Sequence, residues 1–190
     1  MTKEKRIVRT IPPLPNYKQG KSQNGIKVAI LISDHFHDAQ AIYPYYRLME
    51  EGYEVVYAGQ SLQEYVGKWG YKIQTTQKTA LLRADDLTAI IIPGGFGAEN
   101  QRIDPIILGL IREMDRRGKI VGAMSHGCWV IASANIIKNR RATCNKFIKD
   151  DIENAGAEYI DRPVVIDNNL ITSRNTADLP FFVKEIINKI

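Results

Sequence analysis

The feature that most constrains this chain is a set of short, almost wholly apolar runs separated by stretches of helical period. KVAILI (27–32), EVVYAG (54–59), AIIIP (89–93) and KIVGAM (119–124) each have strand length and at most one charged residue, at the start. Such a strand has to be covered on both faces, which points to a parallel sheet rather than a half-solvated antiparallel one. Between the runs, residues 40–51 place Ala41, Ile42, Tyr45, Leu48 and Met49 at helical spacing ahead of Gly52, and a helix predicted over 104–117 stops at Gly118. Strand, helix and strand repeated in this order predict an α/β fold: a mostly parallel sheet with helices on both faces, joined by right-handed crossovers. Residues 62–77, with Tyr65, Val66, Tyr71 and Ile73 around Gly67 and Gly70, read as a small hairpin excursion. PVVI (163–166) and LITS (170–173) flank Asp167-Asn168-Asn169, a hairpin turn whose asparagines tolerate positive φ. A closing helix is predicted over 178–190, with Asp178 near its N-terminus.

Residues 1–25 follow neither period. They hold Pro12, Pro13 and Pro15, and their Lys3, Lys5, Arg6, Arg9, Lys18 and Lys21 against Glu4 account for the whole net charge of +5. The rest of the chain is balanced, so the basicity is that of an arm and not of a globular face, and no nucleic-acid partner is expected. The arm reads either as a disordered tail or as a segment lying over a neighbouring subunit, followed by one domain over 26–190. No run reaches the roughly 18 apolar residues that span a bilayer, and the N-terminus lacks the apolar core of a secretory signal. With Cys128 and Cys144 alone there is no disulfide framework; a reducing, cytoplasmic setting is the simpler expectation.

In an open α/β sheet ligands bind outside the carboxyl ends of the strands, which brings together the loops after Ile32, Pro93 and Met124. Those loops contain all three histidines, His35, His37 and His126. At 122–129 the sequence GAMSHGCW leads a strand into a helix through small residues, a spacing that suits a nucleophile elbow with Ser125 at its apex. Backbone N–H groups of Gly95 and His126 are then positioned to polarise a substrate oxygen, with Gly94 and Asp38 also at the pocket. The alternative is an ordinary turn with Ser125 as a helix cap. No histidine follows His126, which removes the α/β-hydrolase triad order and the glutamine-amidotransferase reading with it. Cys128 falls in the first turn of the following helix, either as a small core residue or as a relocated nucleophile at the pocket. His35, His37 and His126 lack a further ligand at metal spacing, so neither a metal nor a cofactor is expected.

Five segments in order resemble the ThiJ/PfpI superfamily: YPYYRLMEEGYEVVYAG (43–59), PGG (93–95), the SHG elbow, KDDIENAGAEYIDRPVVIDNNLITSR (149–174) and ADLPFF (177–182). The resemblance covers about 27–190. It implies a flavodoxin-like sandwich, usually a dimer or higher homo-oligomer, with peptidase, glyoxalase-like or deglycase-like activity. It also implies that Ser125 stands where the family has a nucleophilic cysteine and that His37 stands where the family has an acid. Glu99 matches the acid that PfpI-like members place beside the elbow histidine across a subunit contact. Serine has essentially no alkoxide near neutral pH, whereas a free cysteine is a few per cent thiolate, so the usual mechanism does not transfer unchanged. The expectation is an enzyme acting on a small molecule by hydrolysis or carbonyl addition, with Ser125, His126, His37 and Glu99 around one pocket. The alternative is a non-catalytic ligand-binding protein.

Overall fold

The structure, a computed structural model, describes residues 25–190. The N-terminal arm expected over 1–25 therefore lies, but for its last residue, outside the described residues.

The elements follow in chain order: β1 (Lys27–Leu31), α1 (Asp38–Glu50), β2 (Glu54–Gly59), β3 (Glu64–Val66), β4 (Lys72–Gln74), β5 (Gln77–Lys78), β6 (Ala89–Ile92), α2 (Gly97–Gln101) and α3 (Pro105–Arg116). They continue with β7 (Ile120–Met124), α4 (Cys128–Ser133), β8 (Arg141–Ala142), α5 (Lys149–Asn154), β9 (Glu158–Tyr159), β10 (Val164–Asp167), β11 (Leu170–Ser173) and α6 (Leu179–Lys189). Seven strands form the central sheet in the order β10-β11-β7-β6-β1-β2-β5, parallel except for the β10–β11 hairpin. This is the mostly parallel sheet the apolar runs predict.

Successive strand residues point to opposite faces, and the core divides accordingly. Val28, Ile30, Ile91 and Ile171 pack with Leu48 of α1 and Phe182 and Ile186 of α6. Ala29, Leu31, Ile90, Ile92 and Val121 pack on the other side with Ile107, Ile111 and Met114 of α3 and Ile131 of α4. The β3–β4 hairpin falls where the excursion was predicted, and Asn168 in the β10–β11 turn has φ 53°.

Some boundaries differ from expectation. Helix α1 begins at Asp38, two residues early. Asp178 stands at the N-cap of α6, as expected, but its side chain makes no capping bond; its carboxylate accepts from Arg174 Nε at 3.1 Å, and Pro180 occupies the first turn of the helix. Helix α2 and the two-residue strands β5, β8 and β9 were not anticipated, because they are too short to show a period.

Candidate active site

From β1 the chain proceeds to β2 on one side and, through β6, to β7 and β11 on the other. The reversal lies between β1 and β6, and the crevice outside their carboxyl ends is the natural ligand site of such a sheet. A cleft of about 270 Å³ lies there, lined by Ser125, His126, His37, Gln40, Lys68, Gly95, Phe96, Asn145, Asn175 and Thr176.

Ser125 follows directly from β7 and has φ 54°. A left-handed conformation costs a non-glycine residue about 1–3 kcal/mol and persists only where its surroundings impose it. Those surroundings are visible. A Cβ at Gly127 would strike the carbonyl oxygen of Ile92, and one at Gly94 would lie 2.8 Å from Ser125 Cβ. The elbow is therefore wedged between strand ends with no room for larger neighbours. Ser125 is 5 % exposed, and its hydroxyl contacts His126 Nδ1 at 3.3 Å. It makes no capping bond, so the reading as an ordinary helix cap fails.

His126 is half-buried, its ring edge-on to Trp129 with centroids 4.9 Å apart and tilted against Phe96 at 6.0 Å. Burial holds its pKa below the usual 6.5; the charge of Lys68 acts in the same direction and that of Glu99 opposes it. Glu99, on α2, is exposed and makes no hydrogen bond to the ring within the chain. His37 arrives from the other wall, its backbone N–H tied to the Gly94 carbonyl at 2.8 Å. Its Nε2 pairs with Thr176 Oγ1 at 3.0 Å rather than with Ser125, and its buried Nδ1 has no partner among the described residues. Burial lowers this pKa too, against the opposing charge of Asp38 and with a smaller push from Lys68. Both imidazoles are thus neutral at neutral pH. Gln40 locks the floor: its Oε1 accepts from Gly94 N at 2.8 Å and its Nε2 donates to Thr176 Oγ1 at 3.2 Å.

Four expected site residues do not line the cleft: exposed Glu99, buried Gly94, whose N–H and carbonyl are taken by Gln40 and His37, and Cys128 and Asp38. Cys128 is fully buried, with Sγ directed to the Thr143 carbonyl at 3.3 Å, and burial pushes its thiol well above the ordinary value, helped by neighbouring Cys144. It is a core residue, because the first turn of α4 faces the sheet and not the solvent. Asp38 turns to the other side of its loop, where its carboxylate accepts from Trp69 N and Tyr71 N, each at 2.9 Å. Its work is to hold the 67–71 turn. His35, at φ 64°, is exposed and does not line the cleft. Among the described residues no cluster of three or more His, Cys, Asp or Glu stands at metal-holding distance.

Sequence reasoning missed Gln40, Lys68, Asn145, Asn175 and Thr176. Asn175 and Thr176 follow β11, so the rule that placed the other loops would have found them had β11 been recognised as parallel to β7. Lys68 and Asn145 come from segments with no such signal.

A doubly wound sheet with a strained strand-to-helix elbow beside its switch point defines a class of α/β proteins. Residues 26–189 match the family model DJ-1/PfpI family, and the chain belongs to that family. It is 36% identical to the Deglycase PfpI of Pyrococcus furiosus, over 85% of this chain and 98% of that protein. It is 34% identical to Protein/nucleic acid deglycase 2 of Escherichia coli, over 85% of this chain and 95% of that one. Among solved structures, a two-domain protein of Anabaena variabilis containing DJ-1/ThiJ/PfpI-like and ferritin-like domains superposes with TM-score 0.85 at 36% identity, over 86% of this chain. The present chain spans 48% of that one. No described helix is long and apolar enough to cross a membrane.

Proposed function

We propose that this protein is an enzyme of hydrolase or carbonyl lyase type that acts on a small carbonyl compound or carbonyl adduct, with Ser125 and His126 as its reacting pair. The observation that carries this reading is the Ser125 hydroxyl on a strained elbow, 3.3 Å from a neutral imidazole nitrogen inside a cleft. In the tautomer with its proton on Nε2, His126 accepts the hydroxyl proton through Nδ1 as Ser125, or a water held there, adds to the carbonyl carbon. The developing oxyanion is met by the backbone N–H groups of Gly95 and His126, neither of which is engaged elsewhere among the described residues. The His126 imidazolium so formed returns its proton to the leaving group as the tetrahedral adduct collapses, while His37, fixed through Thr176, shapes the opposite wall. Two relatives named deglycases support a carbonyl adduct as substrate. The cleft, at about 270 Å³, lies below the roughly 300–1,000 Å³ of pockets for drug-sized ligands, which favours small substrates over peptides. Serine at residue 125 in place of the family's cysteine makes His126 indispensable, since a hydroxyl needs a base where a thiol ionises by itself.

Glu99 makes no ring contact within one chain, which fits a homo-oligomer in which that carboxylate meets the His126 of a second copy. In the competing reading the cleft only binds its ligand; the near-complete burial of Ser125 favours it. A panel of small aldehydes, ketones and their amine or thiol adducts, assayed with wild type and Ser125→Ala, separates the two. Turnover that depends on Ser125 establishes the enzyme; ligand-induced stabilisation without turnover in either protein establishes the binder.

The pH dependence is fixed by the state of His126. The base works neutral and its pKa lies below 6.5, so kcat/KM rises with pH to a plateau through a midpoint under that value. Glu99 raises this pKa, so Glu99→Gln moves the midpoint further down and retains more of its plateau activity at pH 5. A midpoint above 6.5 in the wild type contradicts the assignment.

A further inference from the structure

We propose that the cleft selects carbonyl compounds that carry a carboxylate, received by the Lys68 ammonium and the side-chain amino groups of Asn145 and Asn175. The inference rests on the reading above only for the carbonyl half of the substrate.

With the imidazoles neutral, Lys68 is the one charged side chain among the residues that line the cleft. Among the described residues it has no carboxylate partner; its ammonium lies 5.1 Å from the Trp69 ring centroid instead. The backbone that carries it is firmly placed. Lys68 N donates to the Phe36 carbonyl at 2.8 Å, Gly67 N donates to the Tyr71 carbonyl at 2.7 Å, and the Asp38 carboxylate holds the two flanking N–H groups of Trp69 and Tyr71. The turn is thereby tied to the same loop that presents His37. Lys68 is exposed at the rim of the cleft, and its charge still reaches both imidazoles and lowers both pKa values.

The two asparagines complete a donor array because their orientation is settled by local bonds. Asn145 Oδ1 accepts from Phe147 N at 3.1 Å, and Asn175 Oδ1 accepts from Ala177 N at 2.9 Å. Each amide oxygen is thus occupied by its own loop, and each amino group is left as a donor with no partner among the described residues. No carboxylate lines this wall to repel an anion. One positive charge and two neutral donors match a monoanion with two oxygens, whereas a phosphate dianion would remain under-neutralised in a cleft of this size.

Titration calorimetry at low ionic strength with pyruvate, the neutral ketone hydroxyacetone and inorganic phosphate tests this. It is run in the Ser125→Ala background, where recognition is read without turnover. Pyruvate binding is expected to weaken about tenfold in Lys68→Met, as for loss of one charge-assisted contact, and to be largely kept in Lys68→Arg. Hydroxyacetone binding stays unchanged in both. Pyruvate that binds Lys68→Met as tightly as the parent, or fails to bind the parent at all, overturns the inference, as does phosphate binding more tightly than pyruvate. Lys68-dependent pyruvate binding in a protein without turnover would leave the inference standing and sink the catalytic reading; turnover of neutral carbonyls without it would do the reverse.

Discussion

Gly95→Ala is expected to cost about 3 kcal/mol of stability or more, lowering the melting temperature on the order of 10 °C for a domain of this size. Two penalties coincide at this position. Gly95 has φ 90°, a backbone conformation that L-residues seldom adopt. A Cβ there would also lie 2.5 Å from the His35 carbonyl oxygen, 2.6 Å from His37 N and 2.8 Å from the Phe36 carbonyl carbon. All three are main-chain atoms, so relief requires moving the loop and cannot come from a side-chain rotation. That loop carries His37, and its link to the Gly94 carbonyl would be stretched with it. Urea or thermal denaturation measures the loss; a change under 1 kcal/mol would show that the approach of the two loops is looser than described.

Ser125→Ala is expected to lower kcat/KM on the best carbonyl substrate by at least about a thousandfold, in the range seen when a serine nucleophile is removed from a working catalytic set. The residual rate comes from the Gly95 and His126 N–H groups and from binding alone. The fold is expected to tolerate the change, because the strain at residue 125 is imposed by its neighbours and its hydroxyl donates to no backbone group. Substrate affinity should change little, since Lys68 and the asparagines lie elsewhere on the wall. A loss carried entirely by a higher KM, with kcat unchanged, would show that the hydroxyl only binds.

The sheet was legible because continuous apolar runs leave few alternatives to burial on both faces, and the elbow because a strand followed by small residues admits a sharp turn. The β10–β11 hairpin was legible in Asn168, which accepts the positive φ it needs. Strands β5, β8 and β9 were not, since two residues carry no period and their pairing is decided by distant segments. Within the site, Ser125, His126, His37 and Gly95 come together because each lies in a loop that leaves the carboxyl end of a parallel strand. Glu99 comes close enough to influence His126 by its charge alone. Cys128 and Asp38 were misplaced for one reason: proximity in sequence to the elbow and to His37 says nothing about which side of the backbone a residue faces. Lys68 was invisible because its turn is brought over the cleft by Asp38, a contact 31 residues apart for Trp69 and 33 for Tyr71.

The account depends on the elbow offering the side chain of residue 125 to the cleft beside a neutral imidazole. Ser125→Cys tests this through thiol chemistry, against a quiet background. In the wild type, Cys128 is buried with its thiol pushed well up, and burial together with Asp151 and Glu153 pushes Cys144 up to about 12. The measurement is the rate of iodoacetamide labelling of the folded protein at pH 7. Labelling of Ser125→Cys at least about a hundredfold faster than wild type, slowed by a further His126→Asn change, is the predicted result. A cysteine at 125 as inert as the two native ones would contradict it.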